Sequence, residues 1–268
     1  MRLAKYLKVF EIGLQNTFVY RWNFLLRSVF GMVPLLGMLF LWGAIFEGRS
    51  TRISGYDESG MIFYFLMTLL IDNWVAPTED EWQIAAEIRE GRMSALLTKP
   101  LHYLSYRLSL YSGYRLLYVA VTAIPLGLLL YCLRADVRLP ESGLTWLVFC
   151  VSLAMAGLIQ FLLAYCVAML AFWFLEISTL IWILFTLKHF LSGMVFPLDL
   201  LPSQLQRLVF WSPFPYEVFF PAQIFLERLE GRALWAGLAA QAAWLGISWL
   251  MATALFARGI RRYQAVGG

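Results

Sequence analysis

The spacing of its charges constrains this chain more than any other feature. The sequence has 21 Lys and Arg and 17 Asp and Glu, yet uncharged or nearly uncharged runs occupy residues 28–46, 59–78, 113–133, 144–173, 177–197 and 233–257. A helix needs about 20 mostly apolar residues to cross a hydrocarbon layer of about 30 Å, so each run is long enough to cross a bilayer. Soluble domains carry roughly 25% charged residues. This chain carries 14%, with 61% hydrophobic residues and a mean hydropathy of +0.69. The reading is an all-α integral membrane protein of 268 residues with six spans, at 24–46, 59–78, 113–133, 144–173, 177–197 and 233–257. The second runs into Asp72, Asn73 and Pro77, and the fourth, about 43 Å of helix, must tilt or protrude.

Residues 1–23 have no continuous apolar stretch followed by a small-residue cleavage site, so they do not read as a cleavable signal. Leu3, Leu7, Phe10, Leu14 and Phe18 recur at helical spacing, while Arg2, Lys5, Lys8 and Glu11 lie off that stripe. This pattern predicts an amphipathic helix lying in a membrane interface, or a soluble helix packed on a partner. Cys132, Cys150 and Cys166 lack CxxC spacing, and the two histidines, His102 and His189, are far apart, which leaves neither a disulfide framework nor a metal site. The net charge of +4 follows from the Lys and Arg that membrane proteins keep on the cytoplasmic side, and requires no nucleic acid partner. With the N-terminus inside, thirteen basic residues fall on the cytoplasmic side and seven outside, so both termini are expected in the cytoplasm.

This orientation leaves one dense charged stretch, Glu79 to Pro100, in the cytoplasm between the second and third spans. Glu79, Asp80 and Glu81 follow Pro77 and Thr78 and place negative charge on a helix's first turn, where the dipole favours it. Trp82, Ile84, Ala85 and Ile88 make an apolar stripe, Gly91 allows a break, and Met93, Leu96 and Leu97 resume until Pro100. Near the other end, Pro197, Pro202, Pro213, Pro215 and Pro221 divide residues 198–232 into two short amphipathic pieces, Ser203 to Trp211 and Tyr216 to Leu229. Pro213, Phe214 and Pro215 force the turn between them. The pieces are too apolar for a solvated loop and too broken for a span. A hairpin that enters and leaves the outer leaflet fits them, as does an outer loop packed on the bundle.

The run EIREGRMSALLTKPL, with Glu87, Gly91, Leu96, Leu97 and Pro100, resembles the cytoplasmic loop of ABC-2 type permeases, the membrane subunits of ATP-driven exporters. FPLDLLPSQLQRLVFWSPFPYEVFFPAQIFL, residues 196–226, is similar to that family's segment after the fifth span. The resemblance implies that residues 79–100 form a coupling helix docking on a separate ATPase, through Glu79, Asp80, Glu81, Glu87, Ile88, Arg89, Glu90, Gly91 and Arg92. The acidic residue often found three positions after the glycine is Ser94 here. It also implies a re-entrant outer hairpin at the substrate exit, two ATPase subunits that bind ATP and magnesium, and a second permease chain, identical or dissimilar. The setting it implies is the lipid of a bacterial cytoplasmic membrane. No GxxxxGK[ST] sequence occurs, so this chain is expected to hold no cofactor and to catalyse nothing itself.

Ionisable groups within spans are costly and should face protein or water. Asp72, Lys188 and His189, with the polar Asn73 and Gln160, are the candidates, and they line a polar pathway or pair structurally, Asp72 with Lys188 in particular. A different class of function, a motor-independent secondary carrier or a membrane scaffold, should show two corresponding halves with broken spans, and 24–133 and 144–257 show no convincing repeat.

Overall fold

The computed structural model describes residues 2–19, 21–47, 52–76, 80–132 and 139–263, and among these the regular structure is helical. The helices are α1 (Arg2–Val19), α2 (Arg21–Phe46), α3 (Glu58–Val75), α4 (Asp80–Arg89), α5 (Met93–Leu97), α6 (Tyr103–Cys132), α7 (Gly143–Met169), α8 (Ser178–Leu191), α9 (Ser203–Phe210), α10 (Phe219–Phe225) and α11 (Gly231–Gly259). Among the described residues, four stretches are long and apolar enough to cross a membrane: Val29–Phe46, Glu58–Arg89, Gly143–Phe172 and Gly231–Gly259; Ser178–Leu191 is a shorter apolar helix. Large side chains on the outside confirm an apolar surround. Phe40 is 79% exposed, and Phe30, Ile124, Trp182 and Leu250 also face outward, an excess that a water-soluble surface does not carry.

Local chemistry sets the helix ends. Asp57 Oδ1 accepts the Gly60 amide at 2.9 Å and starts α3, and Ser142 Oγ accepts the Leu144 amide at 3.2 Å and starts α7. The end of α3 follows from Pro77, because the preceding Ala76 is driven into the extended conformation (φ −61°, ψ 149°). Helix α8 stops at Gly193, whose φ of +89° is left-handed and whose carbonyl accepts the Tyr64 hydroxyl at 2.6 Å. A β-carbon there would lie 2.8 Å from that hydroxyl oxygen.

Two ends of the bundle can be recognised from contacts between segments remote in sequence. At the first, Arg89 donates to the Leu175 carbonyl at 3.0 Å, Tyr263 meets the Ser94 hydroxyl at 3.0 Å, and the His102 amide donates to Tyr6 Oη at 3.2 Å. At the second, Arg228 donates to the Ser54 carbonyl at 3.0 Å and Thr145 to Glu227 Oε1 at 3.2 Å. Helices α6, α7 and α11 run between the ends, each about 40 Å or more at 1.5 Å per residue. Helices α3 and α8 are shorter and both stop inside the bundle.

The sequence reading ends a span at 78 and starts a loop at 79. In the structure α4 instead lies along α7, with Glu81, Ile84, Ala85 and Ile88 buried and packed in a core that includes Phe161, Tyr165 and Met169. Helix α4 thus belongs to the bundle, and the exposed part of the charged segment is the shorter stretch from Arg89 to Pro100, apart from Met93, which is buried in the same core. Residues Pro77, Thr78 and Glu79 lie outside the described residues.

The N-terminal helix also has a partner within the chain. Helix α1 crosses α6 where Gly13 meets Leu110 and Gly113 meets Phe10; a β-carbon on Gly113 would lie 2.7 Å from the Phe10 carbonyl oxygen. Leu7 and Phe18 of the expected apolar stripe remain exposed beside this seam. Gly113→Val is expected to push the helices apart at a cost of about 1–3 kcal/mol, read as a lower melting midpoint in detergent, with Leu116→Val on the exposed side of α6 as the unaffected control.

The 198–232 segment forms two unlike arms. Helix α9 lies toward the surface, with Leu205 and Leu208 exposed, whereas all seven residues of α10 are buried against α3 and α7. Pro213, Phe214 and Pro215 are buried at the turn between the arms. The Phe219 amide donates to the Ser192 carbonyl at 2.9 Å, which places the start of α10 beside the end of α8, well inside the bundle. Gln241 of α11 fixes this arrangement: its Nε2 donates to the carbonyls of Ser152 (2.9 Å) and Tyr216 (2.8 Å), and its Oε1 accepts the Ser152 hydroxyl.

Candidate functional site

Where α3, α8 and α10 end or begin inside the bundle, backbone carbonyls and charges converge. The last carbonyls of a helix have no intrahelical partner, and away from water each must find a donor. Two buried cations supply them at the end of α3. Arg115 of α6 donates to the carbonyls of Asn73 and Ala76, and Lys188 of α8 donates to the Val75 carbonyl at 2.6 Å. The negative end of the α3 dipole reinforces both contacts.

Lys188 also faces two carboxylates. Asp72 Oδ1 lies 3.5 Å from its Nζ, and Glu217 Oε2, from the turn before α10, lies 3.8 Å away. Glu217 is fully buried, and neither of its carboxylate oxygens accepts a hydrogen bond among the described residues. Lys188 is thus the shared cation of three chain segments, and Arg115, between the rings of Tyr111 (5.3 Å) and Tyr118 (5.6 Å), steadies the same helix end.

The structure therefore brings Asp72 and Lys188 together and separates others from them. Asn73 donates its side-chain amide to its own helix, at the Leu69 carbonyl. Gln160 is buried at the contact of α4 and α7, beside Asp80 and Glu81. His189, next to Lys188 in sequence, points to the outside of α8 with its ring against Phe190.

A second network clamps α4 to α6. Arg107 is buried and donates from Nε to the Tyr103 hydroxyl at 3.2 Å, pairs with Glu87 Oε2 through Nη2, and has Asp80 Oδ1 at 4.0 Å. The Tyr103 hydroxyl donates to the same Glu87 oxygen at 2.8 Å. Of the nine residues expected to form one docking face, Glu79 lies outside the described residues and the other eight divide: Asp80, Glu81, Glu87 and Ile88 turn into the bundle, Gly91 is half-buried at a φ of +74°, and Arg89, Glu90 and Arg92 are exposed. Glu90 and Arg92 pair with each other at 2.7 Å. Arg89 reaches the 173–177 connection, where Glu176 lies 3.8 Å away. The Ser178 hydroxyl and amide at the start of α8 donate to Glu176 and hold its carboxyl below the usual range, with Arg89 adding to the effect.

Sequence reasoning passed over Glu217, Arg107, Arg115 and Tyr103. Two signals could have found them. Glu217 interrupts an apolar run, and Tyr103, Arg107, Tyr111 and Arg115 recur every four residues, a single stripe on one helix face.

An all-helical bundle that exposes apolar side chains around buried, paired charges is a multi-pass membrane protein. The profile of the ABC-2 family transporter proteins matches residues 32–267, and the chain belongs to that family. It is therefore a membrane component of a transporter, and the family implies association with ABC ATPases. A comparison with curated proteins returns no match.

Proposed function

We propose that this chain is the permease subunit of an ATP-driven ABC-2 exporter in a bacterial cytoplasmic membrane, with six spans and both termini in the cytoplasm. The first end of the bundle is then cytoplasmic, α3 and α4 together make the second span, and the 198–232 hairpin re-enters from outside. Two ATPase subunits supply the energy, and a second permease chain, identical or dissimilar, completes the translocator. The observation that carries this reading is the division of the charged segment into an internal half and an exposed half. The exposed half, Arg89 to Pro100, presents Glu90, Arg92, Leu97 and Lys99 to a soluble partner. The internal half is bolted to α6 through Glu87 and Arg107, so a push on the exposed half moves a helix fixed to the bundle rather than a loose loop. Lys188 extends the same route to the hairpin, because it grips the end of α3 and faces Glu217.

The test is co-purification of the full chain with the ATPase encoded nearest to it, followed by an ATP hydrolysis assay. Reversing both exposed charges, Glu90→Arg with Arg92→Glu, is expected to reduce co-elution severalfold while leaving the melting midpoint of the permease unchanged. Unaltered co-elution would place the docking face elsewhere.

The secondary-carrier reading has one observation in its favour. Helices α3 and α8 break inside the bundle beside ionisable groups, as carrier half-helices do. In carriers such helix ends coordinate the driving ion. Here Arg115 and Lys188 already fill those carbonyls, which favours a mechanical role over ion binding.

A further inference from the structure

At the second end of the bundle an open cleft of about 630 Å³ lies between the 199–229 segment and α11. This is within the range of small-molecule sites, about 300–1,000 Å³. Its lining is two-sided. Ser54 and Arg228 are exposed at its mouth with Asp199 and Gln206 beside them, whereas Phe219 and Phe220 are buried at its floor.

The two charges at the mouth are held on either side of one tyrosine. Tyr56 donates its hydroxyl to Asp199 Oδ2 at 3.1 Å, and its ring carries the Arg228 guanidinium 3.6 Å from the centroid. Gln223 Nε2 locks the acidic side, at 2.6 Å from the Tyr56 oxygen and 3.1 Å from Asp199 Oδ2. The basic side is held by the Tyr56 ring and by a hydrogen bond from Arg228 to the Ser54 carbonyl. Opposite charges this close to a common residue ordinarily pair, yet no ion pair joins Asp199 to Arg228 among the described residues. The result is an anion and a cation at fixed separate positions above an aromatic floor.

We propose that this cleft binds a zwitterionic amphiphile of the phosphoethanolamine type. Its ammonium meets Asp199, its phosphate meets the remaining guanidinium donors of Arg228, and its acyl chain follows Phe219 and Phe220. Arginine suits a phosphate because its planar fork matches the phosphate oxygens. The inference does not rest on the exporter reading, because binding is measured on the permease alone.

The experiment measures affinities of the full chain in detergent, by native mass spectrometry, for lysophosphatidylethanolamine, lysophosphatidylglycerol (phosphate, no amine) and dodecylamine (amine, no phosphate). Lysophosphatidylethanolamine is expected to bind about tenfold or more tightly than either of the others. Arg228→Gln should remove its advantage over dodecylamine, and Asp199→Asn its advantage over lysophosphatidylglycerol. Ala233→Trp, at an exposed position of α11 that lines the cleft, should weaken all binding without shifting the melting midpoint. It keeps the test decisive where Asp199→Asn disturbs the Tyr56 network. Equal affinity for the three probes, or full binding by Ala233→Trp, would overturn the proposal. The same lipid retained through purification marks a resident of the outer leaflet, and its ATP-dependent movement in vesicles holding the ATPase marks cargo; both carry the chemistry proposed.

Discussion

Lys188→Met is expected to cost the fold about 3–5 kcal/mol, enough to abolish the native bundle or lower its melting midpoint by many degrees. The methionine fills much of the same volume but removes the donor to the Val75 carbonyl and the shared cation of Asp72 and Glu217. Glu217, with no exposure, would then be a buried carboxylate with no opposite charge in contact. Neutralising it should relieve part of the loss, so Lys188→Met with Glu217→Gln is expected to melt higher than Lys188→Met alone. Thermal unfolding of the purified variants in one detergent checks both statements. A wild-type midpoint for Lys188→Met would show that the cluster contributes nothing to stability and would remove the proposed route from α3 to the hairpin.

The second large effect is expected at Glu87. Glu87→Lys would set a second cation against Arg107, which is 1% exposed and already desolvated, and would cost a similar 3–5 kcal/mol. Reversing the pair, Glu87→Arg with Arg107→Glu, should recover a substantial share, because opposite charges again meet in the same pocket. The contrast with Glu90 carries the functional meaning. Charge reversal at Glu90 and Arg92 changes a surface and is expected to weaken docking, whereas Glu87→Gln, milder than Glu87→Lys, loosens the clamp and leaves the surface intact. In a folded complex Glu87→Gln should therefore bind the ATPase normally and show altered stimulation of hydrolysis. If Glu87→Gln instead lost the ATPase as Glu90→Arg with Arg92→Glu does, Glu87 would belong to the docking face after all.

Much of the architecture is legible in the chain because lipid imposes a simple rule: backbone polar groups must be satisfied within a helix, and about 20 apolar residues make one crossing. Uncharged runs therefore mark α2, α6, α7 and α11 to within several residues at most boundaries, and the prolines at 213 and 215 mark the turn before α10. The breaks inside the bundle are less visible. Gly193 ends α8 through a left-handed turn fastened by Tyr64, 129 positions earlier, and no local pattern announces that partner. Helix α4 reads as a solvated cytoplasmic helix because five of its ten residues are polar or charged, counting Asp80, Glu81, Gln83, Glu87 and Arg89. It is buried because Arg107 and Tyr103 offer those groups partners inside the bundle.

The sequence by itself determined the solvent, the helical class and the residues whose charge demanded an explanation, because hydropathy and the cost of charge in lipid depend on residue type and spacing alone. Only the tertiary structure decided which charges answer one another. Asp72, Lys188 and Glu217 come from positions up to 145 apart, and Glu87 and Arg107 from two separate helices. Such pairings depend on which helices touch and at what height, and these follow from packing across the whole bundle, which no stretch of sequence contains.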